Sequence, residues 1–166
     1  MSALDITHTV GVTCTDAGHP GYDLLVAQKL GLLEDVDRTL LHGVGCAGGL
    51  AALRTAANLA NGAAMRQRPA RILVFACELC SIHFRCEFNH IAVNPNDTGI
   101  ASTLFSDGAA AVILSNGLAP EAESKSIFTL LDWGSTVIPG SFPYMAFTPD
   151  PLGEFALVST KLHDIC

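Results

Sequence analysis

The chain has 166 residues, 49% of them hydrophobic and 15% charged, with a formal net charge of −7. That length fits about one domain, and the acidic balance argues against nucleic acid, whose binding draws on basic patches. No apolar run reaches the roughly 18 residues of a membrane-spanning helix. Met1-Ser2-Ala3-Leu4-Asp5 lacks the basic and apolar regions of a signal peptide, so a cytoplasmic protein is expected.

Taken in order, Ile6 to Thr13 is β-rich and reads as a strand. Cys14 to Gly21 is a turn-rich loop, and Tyr22 to Leu30 is a helix that Gly31 stops. Arg38 to Val44 reads as a second strand leading to Cys46, from which an alanine-rich helix runs to about Asn61-Gly62. That helix has no charge before Arg54, so it is expected to be buried on most sides. Arg71 to Ala76 is apolar throughout, as a strand covered on both faces would be.

Glu78 to Pro95 reads as irregular and polar, and Thr98 to Phe105 as a short helix. Ser106-Asp107-Gly108 is a turn before a fourth strand, Ala109 to Leu114, and Ser115 to Ser124 a surface loop. A fifth strand is expected at Ile127 to Trp133, a Pro- and aromatic-rich loop at Pro139 to Pro151, and a last strand at Phe155 to Thr160. Helices alternate with strands early and strands dominate late. The pattern implies an α/β fold with a mixed sheet and no internal domain boundary.

Six cysteines are present: Cys14, Cys46, Cys77, Cys80, Cys86 and Cys166. In a chain with a real apolar core and no export signal, disulfides are not expected. Cys77-Glu78-Leu79-Cys80 has CxxC form, but no second CxxC or HxxxH completes a zinc site. Buried packing thiols are the ordinary alternative to a metal or redox role, and no metal is expected. Gly45-Cys46-Ala47-Gly48-Gly49 is the stretch with chemistry in it. A thiol at a helix start faces unpaired N–H groups and the positive end of the dipole, which favour the nucleophilic thiolate. The glycines leave room for a substrate carbonyl to approach. The plain alternative is a small buried cysteine where a helix begins.

Together these segments resemble the type III polyketide synthases, the chalcone-synthase-like enzymes of the thiolase superfamily. Gly45-Cys46-Ala47-Gly48-Gly49 resembles their nucleophile motif, and Leu73 to Arg85 their strand followed by a Phe-Arg segment. Thr103 to Ile113 resembles their Leu-Phe-Gly-Asp-Gly-Ala-Ala-Ala segment. Cys14 to Gly21 and Leu30-Gly31 match the loop and helix before the nucleophile, while Asp132 to Pro139 and Asp150 to Gly153 look more like fungal members than plant ones.

The resemblance implies a thiolase-like layered α/β fold, with a mixed sheet and a buried nucleophile helix. Residues 1–166 would be the middle of such a protein, without its N-terminal start or the C-terminal half that supplies a catalytic His and Asn. It implies that Cys46 takes an acyl group from coenzyme A and carries it through decarboxylative condensations with malonyl-CoA, giving pyrone or resorcinol-type polyketides.

Phe105 would be the gatekeeper between the coenzyme A tunnel and the cavity, though a core aromatic is its plain reading. Cys14, Thr15, Glu78, Cys80 and His83 would line the cavity and shape starter choice; His83 also reads as an ordinary polar residue of an irregular segment. Acyl-CoA and malonyl-CoA are substrates, so no bound cofactor is expected. A homodimer, or pairing with a full-length homologue, follows from the same resemblance. With nine Lys and Arg in all, the chain alone is expected to bind coenzyme A weakly or not at all. The competing readings are a catalytically incomplete thiolase-like fragment or interaction module and, more remotely, the initiating ketosynthase of fatty-acid synthesis.

Overall fold

The computed structural model describes residues 2–95, 103–119 and 126–141, and the backbone of 145–149 and 155–159. The chain divides into two compact units where the sequence reads as one. The first comprises Met1–Glu78 and Gly108–Gly134, the second Leu79–Asp107 and Ser135–Cys166.

The first unit is built on a mixed four-stranded sheet. β1 (His8–Val12), β2 (Asp37–Leu41) and β3 (Arg71–Glu78) run parallel, and β4 (Gly108–Ser115) pairs antiparallel with β3. The order is β2-β1-β3-β4, so the first strand of the chain lies between its two parallel partners. Val12 stands opposite Leu41 on one side and Ala76 on the other.

α1 (Tyr22–Leu30) links β1 to β2 and ends where expected, because Gly31 takes the left-handed conformation (φ 64°) that terminates a helix. The Leu32 N–H then bonds back to the Ala27 carbonyl at 3.0 Å. Arg38 of β2 binds the buried Asp23 of α1 at 2.8 Å. The Tyr22 ring meets Phe75 edge-on at 5.4 Å, and its hydroxyl donates to the Val12 carbonyl at 2.9 Å. Burial holds that phenol protonated, its pKa pushed up to about 12.

α2 (Gly48–Met65) connects β2 to β3 and crosses the sheet over β1. Ala52, Ala56, Ala60 and Ala63 recur at helical spacing, and with Val10, Val12, Ile72 and Val74 they form the core. Methyl side chains let the helix sit close to the strands. The expectation of burial on most sides holds for much of the helix: Gly48 and Ala57 are buried beside this stripe and Leu53 and Leu59 pack half-buried against the core, while Leu50 (75% exposed) and Met65 (87%) face outward. β3 is covered on both faces, as expected: Ile72 and Val74 are buried beneath α2, and on the other face Phe75 is buried and Leu73 half-buried.

In the second unit, the segment read as irregular is helical. A 3-10 turn at Cys80–His83 runs into α3 (Phe84–Val93). Phe84 and Phe88, one turn apart, meet with tilted rings at 5.9 Å, a helical pair that the polar residues around them obscure. β5 (Met145–Pro149), within the expected Pro-rich loop, pairs antiparallel with β6 (Phe155–Ser159). Ile127 to Trp133, read as a strand, has no regular structure. Its residues favour strands, but among the described residues no neighbour supplies a ladder, and a strand is made by pairing rather than propensity. Trp133 instead donates from its indole to Asn58 of α2 at 2.9 Å. Most of the helix expected over Thr98–Phe105, and much of the loop up to Ser124, lies outside the described residues.

Candidate active site

Because β1, β2 and β3 run parallel, the segments that leave their carboxyl ends emerge along one edge of the sheet. Open α/β sheets place their ligands at that edge. Thr13 to Thr15 leave β1 there, Gly43 to Cys46 leave β2, and Glu78 is the last residue of β3.

Cys46 is the middle residue of a 3-10 turn, Gly45–Ala47, and its free thiol is exposed. It therefore precedes α2, which begins at Gly48, rather than opening it. Two glycines shape this corner for different reasons. Gly45 holds φ at +67°, a conformation that costs an L side chain about 1–2 kcal/mol. Gly48 is buried, and a Cβ there would lie 2.8 Å from Cγ2 of Val12. The missing side chain lets the start of α2 press against the end of the central strand.

Glu78 is engaged entirely with the segment after β1. Its Oε1 accepts the Cys14 N–H at 3.0 Å, and its Oε2 accepts the Cys14 and Thr15 N–H groups at 3.0 and 3.1 Å. The Thr15 hydroxyl donates to Oε2 at 2.9 Å, and the Thr13 hydroxyl and Cys14 thiol reach it at 3.3 and 3.5 Å. Thr13, buried and absent from the sequence-derived candidates, also accepts the Thr15 N–H at 3.2 Å. The signal was present as an unbroken Thr-Cys-Thr run at a strand end, but its partner lies 64 residues away at Glu78.

Of the sequence candidates, Cys14, Thr15 and Glu78 are thus joined by direct hydrogen bonds, and Cys46 lies along the same sheet edge. Cys80, His83 and Phe105 belong to the second unit. Cys80 and His83 sit on the turn before α3, both half-buried, and Phe105 is half-buried two residues before Asp107. Burial lowers the His83 pKa against the opposing pull of Glu87. Asp107, read as a turn residue only, accepts both the Ser81 N–H and the Ser81 hydroxyl at 2.8 Å. It fixes the turn that carries Cys80 and His83. The Ser81 N–H first, then its hydroxyl, hold the Asp107 carboxyl below 3.8. Among the described residues, no group of three or more His, Cys, Asp or Glu is arranged to hold a metal ion.

A mixed sheet over an alanine-faced helix, with an exposed cysteine on the turn entering that helix, is the thiolase-like α/β fold of type III polyketide synthases. A fungal type III polyketide synthase of known structure, ORAS, matches 99% of this chain and 43% of its own, with a TM-score of 0.91 at 45% identity. Residues 2–118 match the N-terminal domain of chalcone and stilbene synthases, and the chain belongs to that family. The type III polyketide synthase pspB of Penicillium soppii is 54% identical over 153 residues, which are 90% of this chain and 38% of that protein. The acylalkylpyrone synthase csyB of Aspergillus oryzae is 39% identical over 159 residues, 95% of this chain and 40% of that protein. The chain therefore spans about two fifths of the length of these curated relatives.

Proposed function

We propose that this chain carries the nucleophile of a type III polyketide synthase, an acyltransferase that condenses an acyl-CoA starter with malonyl-CoA. The observation that supports this most directly is Cys46, an exposed thiol on the turn between β2 and α2, inside the segment that matches the family. In the proposed first step the Cys46 sulfur, as thiolate, attacks the starter's thioester carbonyl. The carbonyl–sulfur bond to coenzyme A breaks, and the coenzyme leaves as its thiolate. In the second, malonyl-CoA loses carbon dioxide, and its carbanion attacks the Cys46 thioester. Coenzyme A then carries the lengthened chain and the cysteine is free again.

The chemistry requires no bound cofactor, because both coenzyme A thioesters enter as substrates. Products of the pyrone kind fit the naming of csyB as an acylalkylpyrone synthase. The same reading takes the protein to be cytoplasmic, where thiols such as Cys14 and Cys46 stay reduced. It also takes the protein to act as a homodimer or with a full-length homologue, which light scattering on the purified chain would test.

The decisive experiment is incubation with a reactive acyl-CoA followed by intact-mass spectrometry. One acyl group should be gained by the wild-type chain and none by Cys46→Ala. A label that survives the substitution, or a wild-type chain that gains none, counts against the reading.

A further inference from the structure

Of the five cavity-lining candidates that come from the family resemblance, Glu78 has its carboxylate taken up by the protein's own donors. Oε1 accepts the Cys14 N–H, while Oε2 gathers the Cys14 and Thr15 N–H groups together with the Thr13 and Thr15 hydroxyls and the Cys14 thiol. All of these donors lie within three consecutive residues. The loop they belong to leaves the central strand at the edge where Cys46 stands, and β3, whose last residue is Glu78, is that strand's direct neighbour. A side chain arranged in this way orders main chain.

We propose that Glu78 is a positioning residue. Its carboxylate fixes the backbone of Thr13–Thr15 and thereby sets where the Cys14 and Thr15 side chains stand, with the buried Thr13 hydroxyl as a second brace. The clamp itself stands on geometry alone; only its consequence for starter choice rests on the function proposed above. Glutamine is the informative replacement. It keeps the size of the side chain but offers one acceptor oxygen and an NH2 group that would face the N–H donors.

The test is amide hydrogen exchange, resolved by residue, on the full chain. In the wild type the Cys14 and Thr15 amides should be protected, although both residues lie beyond the strand. Glu78→Gln should accelerate exchange at these two positions by about tenfold or more, as loss of a charge-assisted hydrogen bond predicts. The Val10 and Val12 amides of β1 should keep their protection, which shows that the sheet is intact. Thr13→Val should accelerate Thr15 more than Cys14. Unprotected Cys14 and Thr15 amides in the wild type overturn the clamp, and so does unchanged exchange in Glu78→Gln. If Glu78→Gln loses the β1 protection as well, the wild-type and Thr13→Val measurements decide.

A second arm reads the consequence. The ratio of Cys46 acylation by a short-chain and a long-chain acyl-CoA should shift by about tenfold in Glu78→Gln, the scale on which pocket shape discriminates. An unchanged ratio alongside faster exchange overturns the positioning role at the site. No acylation of wild-type Cys46 overturns the proposed function, and the exchange measurements still decide the clamp.

Discussion

β3 and β4 are hydrogen-bonded neighbours of equal length and similar apolar composition, yet they live in different surroundings. Ile72 and Val74 of β3 are buried beneath α2. Directly across the ladder, Val112 of β4 is 52% exposed, and Ile113, opposite Leu73, is 40% exposed. β3 has a strand on each side, whereas β4 is the last strand of the sheet. Apolar sequence earns a strand its pairing, but burial depends on what else reaches it. The hydrophobic contribution therefore sits in β1 and β3, where α2 lies, and little of it in β4.

The comparison can be broken most forcefully by matched truncations. Ile72→Ala removes a fully buried side chain and should cost about 2–5 kcal/mol, whereas Ile113→Ala should cost about 1 kcal/mol or less. Denaturant unfolding of the two variants checks this, and equal losses would mean that β4 is as well covered as β3. Next in size is the close approach of α2 to β1. Gly48→Ala places a methyl 2.8 Å from Val12 Cγ2 and should destabilise by about 1–3 kcal/mol, read in the same unfolding assay. A neutral result would show that the start of α2 stands further from the strand than described.

The smallest effect belongs to the exposed segment entering β4. The Asp107 carboxyl should titrate below 3.8, because its charged form is favoured by the Ser81 N–H and hydroxyl. Its folded pKa is depressed, so the stabilisation is present above the unfolded value and is lost as pH falls through the folded one. Ser81→Ala leaves the larger, main-chain contribution in place and should move the pKa only part of the way back toward 3.8, which carbon-detected NMR titration measures.

Much of this was legible in the residues because the signals were local. Tyr22 to Gly31 announces both ends of α1, and the glycines about Cys46 mark a turn into a helix. What failed were judgements that depend on partners distant in sequence. Ile127 to Trp133 has strand composition without a neighbour to pair with among the described residues, and Met145–Pro149 has a neighbour that its proline-rich surroundings conceal. Where the Ala-rich helix is left exposed could not be told from its pattern, since alanine suits both surroundings. At the candidate site the residue types were visible but the connections were not. Glu78 was legible as a candidate, while its engagement with Thr13, Cys14 and Thr15 is a tertiary fact. Asp107 was legible only as a turn residue, and its contact to Ser81 spans 26 positions.

The place of β1 between two later strands also sets a schedule for the chain as it is made. β2 can join β1 once α1 is complete, and the turn bearing Cys46 follows almost at once. The carboxylate that holds Thr13–Thr15 is 64 positions behind Cys14, which at the usual 5–20 residues per second is a delay of roughly 3 to 13 s. During that interval the nascent chain already contains the turn of Cys46, while the first loop of the same edge awaits its anchor. Assembly of this corner is therefore vectorial, closing from its last-synthesised residue back onto its first.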